Sequence, residues 1–223
     1  MKTKYIFITN DKCFDNSRFE NPIYLFDHKL EAYYPEFYKT SYDLRLLVTE
    51  EPTREERAFF AYNDYRDRYG VSDISVLKDA AQNSQSKNVF LNGFNQEHFE
   101  YLAPFIKNKV EILFFFKCQK IKDLSLLSDF NKLKCVHMQQ NNSLESLWNM
   151  ENNKNLTAIS FVNVSKIRDV STLLNSTVEY IALDSMDNSG SKKECLIEDI
   201  DIFAKIPNLK HLKLVYKKVN IDY

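Results

Sequence analysis

The sequence predicts an α/β protein in which a short, irregular solenoid of about six parallel strands follows an N-terminal α+β cap. This prediction rests on two apolar patterns that recur along the chain, and on a helix signal ahead of their first copy. Because one short unit cannot bury its own apolar face, neighbouring units are expected to stack and to form a parallel sheet.

The first pattern is apolar-x-x-apolar-x-apolar, which alternates as a half-buried strand does. Its complete copies begin at positions separated by 23, 23, 22 and 31 residues. The long step contains a polar insertion near residues 187–194, which we interpret as a surface loop. The complete copies are Val110/Leu113/Phe115, Leu133/Val136/Met138, Leu156/Ile159/Phe161, Val178/Ile181/Leu183 and Leu209/Leu212/Leu214, and an incomplete earlier copy is Val89/Leu91 followed by Phe94.

The second pattern, apolar-x-Asp-apolar-(Ser/Asp)-x-apolar, marks the return segments. Its aspartate and serine side chains can accept hydrogen bonds from backbone N–H groups where a turn or short helix begins. Since Asp123, Asp169 and Asp199 recur with the pattern, we interpret them as turn caps rather than as acid/base pairs. The four copies cover residues 71–77, 121–127, 167–173 and 197–203.

Together the two patterns resemble the leucine-rich-repeat family, and within it the bacterial internalin-like type with repeats of about 22 residues. The resemblance covers roughly residues 71–215 and implies a protein-binding solenoid. That family usually has asparagine three residues after the third strand leucine, where it bonds neighbouring backbone. Here only one copy has it, so the array should be irregular, and Cys118 at this position is expected to be a buried structural thiol. The five residues are Phe94, Cys118, Asn141, Val164 and Met186.

The N-terminal region, residues 1–70, does not follow the repeat and is predicted to cap the solenoid of residues 71–223. Tyr5–Thr9 alternates as a strand does. Thr53 and Glu56 form a capping-box signature, which predicts a helix over residues 54–69 that stops at Gly70. Residues 10–50 contain no pattern that we can assign. A separate partner-binding or catalytic domain is the alternative to a cap.

Composition and charge narrow the choice of compartment and partner. The net charge of −1 gives no reason to expect nucleic acid or an anionic membrane as the partner. The sequence has no run of about 18 apolar residues, so we expect no transmembrane helix. The N-terminus does not have the pattern of a secretion signal. The four cysteines form no CxxC pair, so we expect a reduced, cytoplasmic setting.

Catalytic motifs are not evident in the sequence. No histidine belongs to a zinc or HExxH pattern, and no glycine-rich phosphate-binding sequence occurs. His137 and His211 are expected to face solvent on strands three repeats apart, about 14 Å, which is too far to share a metal. Cys13 and His28 would form a dyad only if the unassigned region brought them together. We therefore expect no enzyme, no metal and no cofactor.

The strand positions between the inward residues are expected to form the concave face, where the partner binds. Its first half is rich in aromatic side chains, which commonly mark interaction sites when they are exposed. The alternative is that the N-terminal segment folds over them and makes them core. The predicted contact residues are Phe90, Asn92, Ile112, Phe114, Phe116, His137, Gln139, Ser160, Val162, Tyr180, Asp184, His211 and Lys213.

These features predict a non-enzymatic, intracellular protein-binding module from a bacterium. The leading specific role is a toxin-neutralising immunity protein, whose partner is a cognate toxin domain. An adaptor or regulator is an alternative role within the same class. The second class is an enzyme with its site in residues 1–70 and repeats that recruit the substrate. The pattern names neither the partner nor the oligomeric state.

Overall fold

A computed structural model describes residues 5–9, 44–49, 69–70, 78, 81–82, 87–185 and 191–217. Short segments within them form one sheet, and residues 78, 81 and 82 are also helical, in addition to the helices given below. The strands are β1 (Tyr5–Thr9), β2 (Leu44–Thr49), β3 (Tyr69–Gly70), β4 (Asn88–Asn92), β5 (Ile112–Phe116), β6 (Cys135–Asn141), β7 (Ala158–Val164), β8 (Tyr180–Asp184) and β9 (His211–Val215). The helices are α1 (Gln96–Ile106), η1 (Ser125–Asp129), η2 (Ser171–Asn175) and η3 (Ile200–Lys205).

The described strands lie in the order β3-β1-β2-β4-β5-β6-β7-β8-β9. From β5 to β9 each strand pairs in parallel with the strand before it in the chain, and β4 pairs in parallel with β2. Strand β1 pairs antiparallel with both β2 and β3. The predicted α/β class with a parallel sheet is therefore confirmed, and so is the predicted strand at Tyr5–Thr9.

The pairing register aligns the apolar positions that the sequence predicts to point inward. Leu113 is paired with Val136, and Val136 in turn with Ile159. These side chains belong to one buried cluster, to which α1 contributes Phe99 and Leu102. Alternation along each strand directs every second side chain to this face, so the main core lies between the sheet and the return segments.

The structure tests the C-terminal end of the helix predicted over residues 54–69, and part of the predicted insertion. The predicted helix over 54–69 falls outside the described residues except for its last position, which is wrong. Tyr69 lies in β3, where it pairs with Ile6, and Gly70 continues that strand opposite Tyr5 instead of ending a helix. Of the insertion near 187–194, the described part, residues 191–194, is exposed.

The recurring aspartates cap the return segments as predicted. Asp123 Oδ1 accepts a hydrogen bond from the backbone N–H of Ser125 at 2.7 Å, and Asp169 Oδ1 accepts one from Ser171 at 2.8 Å. Asp199 Oδ1 accepts the equivalent bond from the N–H of residue 201 at 3.0 Å. Each carboxylate thus satisfies a donor at the first turn of a 3₁₀ helix, which has no partner within the helix.

Asn141 is the last residue of β6, and Cys118 occupies the equivalent position just after β5. Asn141 Nδ2 donates to the carbonyls of Cys118 and Ile121 at 2.7 and 2.9 Å, while its Oδ1 accepts from the N–H groups of residues 143 and 144. The Cys118 Sγ lies 3.5 Å from the Leu91 carbonyl oxygen. Burial raises the pKa of the Cys118 thiol to about 12, so the expected buried structural thiol is confirmed.

A residue with positive φ lies at or near the end of four strands: Gly93 and Lys117 directly follow β4 and β5, and Gln140 and Asn163 are the penultimate residues of β6 and β7. These residues have φ values of 73° at Gly93, 53° at Lys117, 60° at Gln140 and 53° at Asn163. The left-handed conformation is costly for residues with a Cβ, and asparagine tolerates it better than lysine or glutamine. The left-handed backbone at these strand ends therefore imposes strain at Lys117 and Gln140.

We predict that Gln140→Gly is more stable than Gln140→Ala by about 1 kcal/mol, because both remove the side chain but only alanine keeps the Cβ that strains a left-handed backbone. The free energy of unfolding, measured in urea for both variants, tests this. The exposed Lys166 has no positive φ and serves as the control position, where alanine should be the more stable of the two. The same order at both positions would contradict the assignment.

Candidate functional site: the second face of the sheet

The predicted contact residues lie on one face of the sheet, opposite the main core. We call the strand positions of β4–β9 that alternate with the core-facing residues the second face. Across it, Phe114 is paired with His137, His137 with Ser160, and Ser160 with Ala182, which is paired with Lys213. The sequence therefore predicted correctly which strand residues share a face and which lie side by side.

The expected exposure of this face is wrong over its middle strands. Eight of the predicted contact residues are at most 8 % exposed, although alternation alone marked them as solvent-facing. A parallel sheet is commonly buried on both faces, and a buried face cannot meet a partner without rearrangement. These residues are Ile112, Phe114, His137, Gln139, Ser160, Val162, Tyr180 and Asp184.

The alternative, in which the N-terminal segment covers this face, concerns residues outside the described part of the chain. The side chains of Phe90 and Asn92 are also outside it, although their backbone lies in β4. That the thirteen residues bind a partner stays a prediction. Only those that solvent reaches can contact a partner without rearrangement of the sheet.

Three predicted contact residues are partly exposed, and they lie towards the two ends of the array. Phe116 ends β5, and the Nζ of Lys117 lies 5.1 Å from the centre of its ring, a cation–π distance. His211 and Lys213 lie on β9, at the opposite edge of the sheet. The partly exposed predicted contact residues with described side chains are therefore aromatic on β5 and basic on β9.

His137 is a fully buried ionisable group of the second face. Its side chain is 0 % exposed, and its ring centre lies 4.3 Å from that of Phe114 in an edge-to-face arrangement. Burial lowers the pKa of His137 well below its ordinary value of 6.5, which outweighs an opposing hydrogen bond with the Ser160 backbone. The imidazole is therefore neutral at neutral pH, and its expected solvent-facing position is wrong.

On β5–β8, the described side chains of this face that could act as nucleophiles or bases are buried. Ser160 and His137 are neighbours in register, but both are fully buried, as is Cys135 beside them. Within residues 87–185 and 191–217 and the shorter described segments, no three His, Cys, Asp or Glu side chains are grouped to hold a metal ion. The conceivable Cys13–His28 dyad lies outside the described residues.

A charge ladder at the start of the strands escaped the sequence analysis. The carboxylate of Glu111 lies 2.8 Å from Lys87 Nζ and 2.7 Å from Lys134 Nζ, and Glu179 lies 2.9 Å from Lys210 Nζ. Hydrogen bonds from Lys134 and Lys87 lower the pKa of the Glu111 carboxyl. The available signal was the position just before each strand, which is charged before β4, β5, β6, β8 and β9 and is interrupted only before β7, by Thr157.

One predicted core residue is exposed instead. Leu212 on β9 belongs to the inward set of the strand pattern, but its side chain is 43 % exposed. Among the described strands, β9 is the last of the sheet, so no following strand covers it.

No family model and no curated protein matches this sequence. Among the described helices, none combines the length and the apolar character needed to span a bilayer.

We predict that Phe114→Ala lowers the free energy of unfolding by about 3–5 kcal/mol, because it leaves a cavity beside His137 in a fully buried site. Phe116→Ala is the matched control on the same strand, and its effect should be less than half as large because Phe116 is partly exposed. Urea unfolding followed by far-UV circular dichroism measures both. Equal, small effects would mean that Phe114 faces solvent.

We predict that wild-type stability falls as the pH is lowered through about 6.5, owing to His137. The folded-state pKa of His137 is depressed, so the unfolded chain binds the proton more readily and its contribution is complete only above the unfolded pKa. His137→Gln removes this titration. Between pH 7 and 5 the wild type should therefore lose up to roughly 1.4 kcal/mol per pH unit more than the variant. Parallel pH profiles from urea unfolding would contradict it.

Proposed function

We propose that this chain is a leucine-rich-repeat solenoid that binds another protein and performs no catalysis, in the cytoplasm of a bacterium. The observation that best supports the solenoid is the shared register of β4–β9, in which consecutive strands align the positions that the sequence pattern makes equivalent. The aspartate caps recur in the return segments, and Asn141, in the one copy that has the asparagine typical of the family, bonds the backbone of the preceding segment.

Protein binding is the function that such an array serves most directly. Stacked strands at intervals of ~4.8 Å form a rigid array, which holds the residues that solvent reaches at its ends in fixed positions. A rigid surface loses little conformational entropy when it binds a folded partner. The partly exposed residues Phe116, His211 and Lys213 offer aromatic and basic groups of the types that commonly contribute to interfaces.

Among binding roles we place neutralisation of a toxin domain first. Occlusion of a toxin's active site requires a small, rigid protein that recognises one folded partner, and a short solenoid is suited to this. An adaptor or regulator would use the same kind of surface. The two roles differ in outcome, because an immunity protein must abolish the harm that its partner does, whereas an adaptor need only bind it.

We predict that co-expression of this chain with the toxin domain encoded beside it restores growth of the host and gives an equimolar complex on gel filtration. The full chain is tested against that domain, with a toxin domain from an unrelated system as the control. Capture without restored growth would favour an adaptor or regulator. Neither capture nor protection would contradict the immunity role.

A further inference from the structure

Among the described residues, β9 is the outermost strand at one edge of the sheet, and its core-facing side is partly exposed. Leu212 is 43 % exposed, whereas its equivalents on the four preceding strands are fully buried. Each of those residues lies between two neighbouring strands, whereas β9 has a described neighbour on one side only. One more strand would bury Leu212 as the others are buried. The equivalents, connected by the pairing register, are Leu113, Val136, Ile159 and Ile181.

The backbone of β9 offers the hydrogen-bonding groups that an added strand needs. The N–H of His211 donates to the Glu179 carbonyl at 3.0 Å, on the β8 side. In a parallel pair only alternate residues bond the same neighbour, so the N–H groups of Leu212 and Leu214 point to the outer edge. Unpaired groups along an edge are a template for pairing with another chain.

The charge around this edge is basic. Residues 210–217 contain Lys210, His211, Lys213 and Lys217, and no carboxylate. Lys210 also stands in the charge ladder next to Glu179, at 2.9 Å. A carboxylate on an added strand beside Lys210 would contact this lysine from the outer side, as Glu179 does from the β8 side. Lys213, on the second face, would likewise favour a carboxylate on the added strand.

We propose that the outer edge of β9 binds an extended, acidic segment of a partner protein, which adds a strand to the sheet. Its apolar side chains would cover Leu212 and Leu214, and its alternate carboxylates would face Lys213. This inference deepens the proposed protein-binding function and rests on it. A second copy of this chain is a poorer occupant, because pairing two β9 strands would bring their lysines together.

The test uses the full chain and a soluble peptide of about nine residues in which glutamate alternates with valine. One control peptide has lysine in place of glutamate, and another has proline at its centre, which removes a ladder donor. Hydrogen exchange at the amides of Leu212 and Leu214 should become slower when the glutamate peptide is added, but not when either control peptide is added. Equal protection by all three peptides, or protection only at other strands, would overturn the proposal.

Two variants separate the charge from the backbone contribution. Lys213→Glu should weaken binding of the glutamate peptide about tenfold and strengthen binding of the lysine peptide, as measured by fluorescence anisotropy. Lys154→Glu makes the same charge change at an exposed residue outside the edge and should leave both affinities unchanged. Leu212→Pro removes one outward N–H and should abolish binding. Thermal unfolding verifies that each variant is folded; if the Leu212 variant is not, Lys213→Glu decides alone.

The oligomeric state and the toxin assay distinguish the remaining outcomes. A dimer in solution that dissociates with Leu212→Pro would mean that a second copy occupies the edge, and would overturn the proposal. If the toxin is neutralised, but the peptides do not slow hydrogen exchange at β9 and the Lys213 variant does not change their affinity, the edge assignment fails and protein binding stands. If the peptides bind as expected without protection from the toxin, the immunity role fails and the edge site stands.

Discussion

The rest of the structure depends on the parallel register that pairs each inward side chain with its equivalent on the next strand. A slip of one residue would exchange the two faces of a strand. Strand β5, Ile112–Phe116, is apolar throughout, so its own alternation cannot select a face. The Glu111 carboxylate, bound between Lys87 and Lys134, and the Asn141 amide, bound to two carbonyls of the preceding segment, favour one register over its neighbours.

Sequence reasoning succeeded where one physical requirement was imposed on every unit. The inward positions and the aspartate caps recur because each strand must bury one side, and each turn must satisfy the same backbone donors. It failed where the environment is not periodic. His137 and Ser160 alternate with apolar residues and therefore resemble a solvent-facing row, but a sheet buried on both faces has no such row. Gln140, which is neither glycine nor asparagine, gives no signal of a left-handed backbone.

The buried polar groups of the second face change what this face can do. Moving a neutral imidazole or hydroxyl from water into an interior is unfavourable unless the group finds a hydrogen-bond partner. The residues concerned, His137, Ser160 and Asp184, occupy three neighbouring strands. Because hydrogen bonds require particular distances and angles, polar side chains at these positions restrict the packing of the interior more than apolar side chains of similar size would. Recognition by the proposed solenoid consequently depends on its edges more than on the centre of the sheet.

The outer edge of β9 has features that favour association and features that oppose it. An uncovered strand with an exposed leucine favours association with any extended segment, and proteins commonly oppose this by placing lysines along the edge. Lysine repels another copy of the same basic strand, but it attracts a strand that carries carboxylates. Lys210 and Lys213 therefore do more than protect the edge, because they make pairing conditional on the charge of the incoming segment. The same two residues would keep copies of the chain apart and select an acidic partner strand for Leu212 to pack against.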